Sequence, residues 1–327
     1  MIRQDRMREF AARFALMLVV YAGFATREPS YYHVAGIASL LDGAFLTGVI
    51  ALGVGLTMVA GEMDLSVGSM AALAGVLSIK LETFGVLPAL VASTALAALV
   101  GAAQGWFIAR LRINSLIFTV GTLIAFRGFA LLLAGEQTVN IPIADLDATD
   151  FLSAHWLFLS PLGGLLIVVA LLIFGLTTFT SWGREIYAIG GGRTEARAAG
   201  VSVRRPLVLA FAMSAGLAGL AGAVMSLQSD SATPLGYDAV LLDAVTVCLI
   251  GGVALRGGRG SVVGIMIGLF TLRFLVSGIA SLGAPFWAQS LASGVLLISL
   301  ILAEGGYAFL RRRRSFAGVG GLRGGMS

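Results

Sequence analysis

The feature that most limits what this chain can fold into is a repeated apolar run about as long as a bilayer is thick. Stretches such as LLIVVALLIFGL, residues 165–176, recur along the 327 residues with only short polar breaks between them. About 18 or more consecutive apolar residues cross roughly 30 Å of hydrocarbon as a helix. Ten such segments are read at 10–26, 37–60, 67–79, 87–108, 115–134, 161–180, 207–227, 239–255, 261–280 and 286–310. Composition agrees, at 58% hydrophobic and 12% charged, against about 45–50% and about 25% in soluble domains. A closed β-barrel would need apolar and polar residues to alternate, and these runs do not. The expected fold is all-α, a polytopic helical membrane protein with about ten transmembrane segments. The third segment is short and is expected to be tilted or broken.

Charge gives the orientation. Of 22 basic residues only Lys80 is a lysine, and the arginines cluster in a few places. Arg3, Arg6, Arg8 and Arg13 precede or enter the first segment. Arg110 and Arg112 follow the fourth, Arg256 and Arg259 the eighth, and Arg311–Arg314 the tenth. With ten alternating spans all of these fall on one side, and by the positive-inside rule both termini are cytoplasmic. Residues 136–161, on the other side, carry Glu136, Asp145, Asp147 and Asp150 but no Lys or Arg. The net charge of +5 therefore reports orientation, and no nucleic-acid partner is expected. Residues 1–310 form a single transmembrane domain, and 311–327 a basic cytoplasmic tail expected to be disordered. The first segment resembles a signal peptide in its flanks, but the many spans that follow favour an uncleaved helix.

Chemistry is sparse. A lone cysteine, Cys248, excludes an internal disulfide, and His33 and His155 are far apart, so no metal is expected. No GxxxxGK[ST] phosphate loop, zinc motif or catalytic triad is present. The chain is expected to be no enzyme and to bind no cofactor, and any ATP is hydrolysed by a partner subunit. Charges inside apolar segments are costly and are functional candidates by default. They are Asp42, Asp243, Arg127 and Arg273, which either pair with one another or line a path. GEMDLSVGS, residues 61–69, is a polar break between two apolar runs. Such a break exists at membrane depth only if buried in protein or lining a cavity. Asp64, Ser66 and Ser69 there either cap a restarting helix or belong to the translocation path, together with Asp42 and Asp243.

Glycine is abundant, with 44 residues. GAAQG at 101–105, GIMIG at 264–268, and Gly216, Gly219 and Gly222 predict close helix packing. DLSVGSMAALAG at 64–75 and GRGSVVGIMIGL at 258–269 form a weak internal echo, as in transporters built from two repeats. The polar loop GREIYAIGGGRTEARAAGVSVRRP, residues 183–206, must face the cytoplasm. RTEARAAGV can form about two helical turns after a Gly190-Gly191-Gly192 hinge, with Ala196, Ala198 and Ala199 on a small side and Gly200 as the stop.

GEMDLSVGSMAALAG, GREIYAIGGGRTEARAAGV, DAVTVCLIGGVALRGGRGSVVG and WAQSLASGVLLISLIL occur in order over roughly 37–302. Together they resemble successive signatures of ABC-importer permeases of the ribose, galactofuranose and autoinducer-2 type. The resemblance implies a permease subunit in the bacterial inner membrane that imports a monosaccharide or sugar-like solute. It also implies its partners: ABC ATPase subunits, a second permease copy or paralogue, and a periplasmic sugar-binding protein, with membrane lipid around them. It places the ATPase-coupling helix on the 183–206 loop, carried to Glu195, Ala196, Ala199 and Gly200, flanked by Arg193, Arg197, Arg204 and Arg205. Three departures from the family pattern stand out: Glu62 beside Asp64, Gly192 after the Gly190-Gly191 pair, and Gly251-Gly252-Val253-Ala254-Leu255. They fit a subunit that pairs with a different permease. An ion-coupled secondary transporter and a branched-chain amino acid permease are the alternatives.

Overall fold

The structure, a computed structural model, describes residues 2–27, 29–141, 150–153 and 159–302. Asp145, Asp147, His155, Arg311–Arg314 and the 311–327 tail lie outside the described residues. Helices are α1 (Ile2–Ala25), α2 (Val34–Val59), α3 (Val67–Leu81), α4 (Val86–Leu111), α5 (Ser115–Ala134) and α6 (Pro161–Phe179). They continue as α7 (Ser181–Gly191), α8 (Arg193–Ala198), α9 (Arg204–Gln228), α10 (Val240–Ile250), α11 (Val262–Ser281) and α12 (Phe286–Leu302).

Among the described residues seven helices are long and apolar enough to cross a membrane: α2, α3 continued by a 3-10 turn to Phe84, α4, α5, α6, α9 and α11. The third segment, expected to be short, gains its length from that turn. Of the ten expected spans, three fall below this standard. α1 carries charges through its first half, α10 has 11 residues, and α12 is also shorter than the seven.

Local chemistry sets the helix boundaries. The Asn114 side chain accepts from the Leu116 and Ile117 amides, and α5 ends on left-handed Gly135. Ser160 caps α6, with Pro161 in its first turn, and Ser261 caps α11 by accepting from the Gly264 amide. Such caps satisfy N–H groups that have no partner within the helix.

α9 is the central element, packed against α4, α3 and α2. Small residues allow this. A β-carbon on Gly101 would overlap the Phe211 carbonyl, and one on Gly222 would overlap that of Ala71. On Gly268 it would meet Val247 of α10. The glycine patterns are therefore sites of backbone approach, as expected where packing rather than hydrophobicity drives helices together. The apolar span of α9 is 72% buried, but those of α4 and α5 are only 22% and 17% buried. Leu99, Ile117, Ile124 and Leu132 stand exposed on these two helices. So extended an apolar surface suits lipid or a partner, not water.

One departure from the all-α expectation is a two-residue antiparallel ribbon. Val139–Asn140 (β1) pairs with Ser231–Ala232 (β2) in the register Val139↔Ala232.

The connections segregate to the two ends of the bundle. At one end the Val59 carbonyl accepts from the Gly258 amide at 2.8 Å, Met63 meets Ser115, and Trp182 bonds the Pro206 carbonyl. The arginines of the connections after α4, α6 and α10 lie there, whereas Arg27, in the connection between α1 and α2, lies at the other end. At the other end Tyr31 bonds the Phe274 carbonyl, Ser160 meets Asp42, and Ile141 bonds Asp230.

Candidate functional site

Two linked features occupy the arginine-bearing end. The first is the break between α2 and α3. Gly61 turns the chain with φ +79°, and the Glu62 amide returns to the Thr57 carbonyl at 2.9 Å. Asp64 then points inward and is 1% exposed. Its carboxylate accepts from the Ser66 amide at 3.0 Å, the Ser66 hydroxyl at 2.6 Å and the Ser214 hydroxyl of α9 at 2.9 Å. Gln104 of α4 donates to Ser66 Oγ at 3.2 Å and to Thr122 Oγ1 of α5 at 2.9 Å. Thr119 of α5 donates to the Met63 carbonyl. The break therefore ties α2, α3, α4, α5 and α9 together.

α3 starts without a side-chain cap hydrogen bond. Asp64 satisfies the Ser66 amide two residues on, while Ser66, the residue before α3, makes no side-chain cap. Ser69 is buried in the first turn of α3 and joins none of the Asp64 bonds among the described residues. Asp42 and Asp243 lie elsewhere. Seventeen residues of helix separate Asp42 from Val59, or about 25 Å at 1.5 Å per residue, so these carboxylates belong to the opposite end. Arg127, another intramembrane charge, pairs with Asp238 at 2.6 Å.

The second feature is the 181–206 loop. Thr180 caps α7 through the Gly183 amide, and Gly183, Ile186 and Ile189 bury one face at a spacing of three. The helix runs on through Gly190 and Gly191, so the expected three-glycine hinge reduces to a break at Gly192. α8 is correspondingly shorter than two turns, with six residues. It ends as expected. Gly200 has φ +80°, and the amides of Gly200 and Val201 return to the Arg197 and Ala196 carbonyls, a Schellman arrangement. Ala196 is buried against the chain's own body, whereas Arg193, Glu195, Arg197, Ala198, Ala199 and Gly200 are exposed. Ala196 seats the helix, and the others form its outer surface. Arg204 stacks over the Trp106 ring at 5.4 Å.

The two features meet in a seam of glycines. A β-carbon on Gly190 would overlap the Val59 carbonyl and lie 2.6 Å from the Gly258 amide. One on Gly257 would lie 2.6 Å from Gly61 Cα, and one on Gly258 2.8 Å from Gly191 Cα. The end of α2, the end of α7 and the α10–α11 loop are thus in direct backbone contact. Tyr187 donates to the Gly260 carbonyl at 3.0 Å, and burial raises its pKa, keeping the hydroxyl protonated as a donor. Across the same seam Arg193 forms an ion pair with Glu62, which is 10% exposed. Glu62, Gly192 and the 251–255 run, the departures from the family pattern, all fall at or beside this junction. Among the described residues no group of three His, Cys, Asp or Glu is placed to hold a metal ion.

Residues 36–302 match the family model described as a branched-chain amino acid transport system / permease component. The chain belongs to this permease family. It is similar to the ribose import permease protein RbsC of Escherichia coli strain K12, with 28% identity over 88% of this chain and 91% of the relative. It is also similar to the autoinducer 2 import system permease protein LsrC of Yersinia pseudotuberculosis serotype O:3, strain YPIII, with 32% identity over 91% of this chain and 85% of the relative. The LsrC of Photorhabdus laumondii is 30% identical over 91% and 89%. No solved structure matches the chain. The family and the seven apolar helices establish a multi-pass membrane permease of the ribose and autoinducer-2 type.

Sequence reasoning found Asp64 and the loop but missed Ser214, Gln104, Thr119 and Thr122. The available signal was an isolated polar residue for Ser214 and Gln104, and for α5 the recurrence of Ser115, Thr119 and Thr122 every three or four residues in an apolar run.

Proposed function

We propose that this chain is the permease subunit of an ATP-driven importer for a monosaccharide or sugar-like solute in a bacterial inner membrane. Both termini are cytoplasmic, with α1, α10 and α12 completing ten crossings. A separate ATPase docks on the outer surface of α8, contacting Arg193, Glu195, Arg197, Ala199 and Gly200. A periplasmic binding protein delivers the solute, and a second permease copy or paralogue completes the path. The observation that carries this reading is the glycine seam. It joins an exposed, charged short helix to the end of α2 and thus to the buried break at Asp64. Displacement of α8 by the ATPase cannot be absorbed at Gly190, where backbone touches backbone, and so passes into the bundle.

Affinity capture of the tagged chain from native membranes in mild detergent tests it. An ATPase chain is expected to co-purify, and Glu195→Trp should remove it while leaving membrane insertion intact. A chain that stays alone, with ionophore-sensitive uptake, would favour ion-coupled transport. The family description favours one second reading, a branched-chain amino acid as solute. Competition of D-ribose against L-leucine for uptake separates the two.

The Glu62–Arg193 pair gives a second test. Glu62→Arg places two cations across the seam and should cut ATP-dependent uptake by about tenfold, the equivalent of roughly 1.4 kcal/mol. The double variant Glu62→Arg/Arg193→Glu should recover most of it. Equal activity of single and double variants would remove the pair from the coupling route.

A further inference from the structure

At the end of the bundle opposite the seam, a cleft of about 790 Å³ opens beside the first half of α2. Its lining includes Ala35, Ala38, Ser39, Asp42 and Gly43 of α2 and Arg273 of α11. Ser39, Asp42 and Gly43 are three and four residues apart and share a helix face. Gly43 is small for a visible reason, since a β-carbon there would overlap the Arg273 guanidinium. A charge in the middle of an apolar span is costly to place and is normally paired. Among the described residues, however, Arg273 forms no ion pair, and its Nε is buried with no hydrogen-bond partner. Asp243 of α10 and Tyr31 are its electrostatic neighbours. The Asp42 carboxylate is held by the Ser160 hydroxyl at the start of α6.

We propose that this cleft binds a neutral polyhydroxylated solute, with Arg273 donating to adjacent hydroxyls, Asp42 accepting from them, and Ser39 at the rim. Guanidinium is a planar fork of donors, and an ionised carboxylate only accepts. Vicinal hydroxyls, each both donor and acceptor, complement the pair in a way an apolar side chain does not. The alanines and glycine form a flat apolar floor for a C–H face. Two carboxylates, Asp42 and Asp243, against one guanidinium disfavour an anion, so a phosphate or carboxylate ligand fits poorly. The solute class rests on the importer reading, whereas the cleft and its polar lining do not.

The test is labelling of Ser39→Cys, which lies exposed on the cleft, in native membranes with a charged, membrane-impermeant methanethiosulfonate. Background is low because the only native thiol, Cys248, is buried and bonded to the Ala51 carbonyl. D-ribose, D-xylose and D-galactose serve as probes. At about ten times the dissociation constant, occupancy should slow labelling roughly tenfold, and L-leucine should not. Asp42→Asn and Arg273→Lys should leave Ser39→Cys open to labelling and abolish protection, each judged against its own rate without sugar, because asparagine loses the charge and lysine keeps it but loses the fork. Absence of labelling, or labelling slowed by none of the three sugars or equally by L-leucine, overturns the site. Sugar uptake without protection leaves the importer standing and removes the site. Protection without uptake supports the site and removes the importer reading.

Discussion

Gly190→Ala is expected to abolish ATP-driven uptake while the ATPase still binds. The new methyl would occupy the space between the Val59 carbonyl and the Gly258 amide, and the atoms it meets are backbone. Side chains can rotate away from an added carbon, but two helix ends and a loop cannot do so without moving as units. Overpacking of this kind typically costs about 1–3 kcal/mol. Here it also breaks the 2.8 Å hydrogen bond from Gly258 to Val59, which adds about 1 kcal/mol.

The bundle should survive such a loss, because α9 and its contacts with α2, α3 and α4 lie away from the seam. What fails is the rigid connection between α7–α8 and α2. The outer surface of α8 is untouched, so capture of the ATPase should match the unaltered chain while uptake falls to background. Gly191→Ala is the matched control, since a β-carbon there meets nothing within 4 Å. Loss of uptake with Gly191→Ala but not Gly190→Ala would refute transmission through the seam.

The helices of this chain are written locally, and the site only partly. α5 spans Ser115–Ala134, the bounds expected from the sequence, because Asn114 and Gly135 act on their immediate neighbours. The family blocks pointed to the 183–206 loop and to Asp64 because both are short continuous motifs. What stayed hidden depends on distance along the chain. The Arg193–Glu62 pair spans 131 positions and the Asp64–Ser214 bond 150, and nothing local to any of the four residues announces its partner. The hinge was misplaced for a different reason. Three successive glycines read as a flexible point, yet tertiary contact holds Gly190 in the helix because only glycine fits against Val59 there. Asp42 and Asp243 were grouped with Asp64 because all three are acids within or beside apolar runs. The axial rise of α2 separates Asp42 from Asp64, and Arg273, which neighbours both, places Asp243 with Asp42.

Asp64→Ala should be the most damaging single side-chain truncation in the chain. The carboxylate accepts three hydrogen bonds, from the Ser66 amide, the Ser66 hydroxyl and the Ser214 hydroxyl, in a place with almost no access to water. Removing it strands the amide and weakens both hydroxyls, and each buried group left unsatisfied costs about 1–3 kcal/mol. The total, on the order of 3 kcal/mol or more, is a large fraction of the net stability of an ordinary domain, about 5–15 kcal/mol. Asp64→Asn separates structure from transport. Its carbonyl can keep the Ser66 amide, and the Ser214 hydroxyl can rotate to accept from the new NH₂ group. The expected result is a folded, extractable Asn variant and a markedly less thermostable Ala variant, measured by the temperature of aggregation in detergent. If the Asn variant also transports, Asp64 acts by holding the break in shape. If it folds and binds the ATPase but does not transport, the negative charge itself belongs to the solute path. An Ala variant as stable as the unaltered chain would show that the three bonds do not hold this junction.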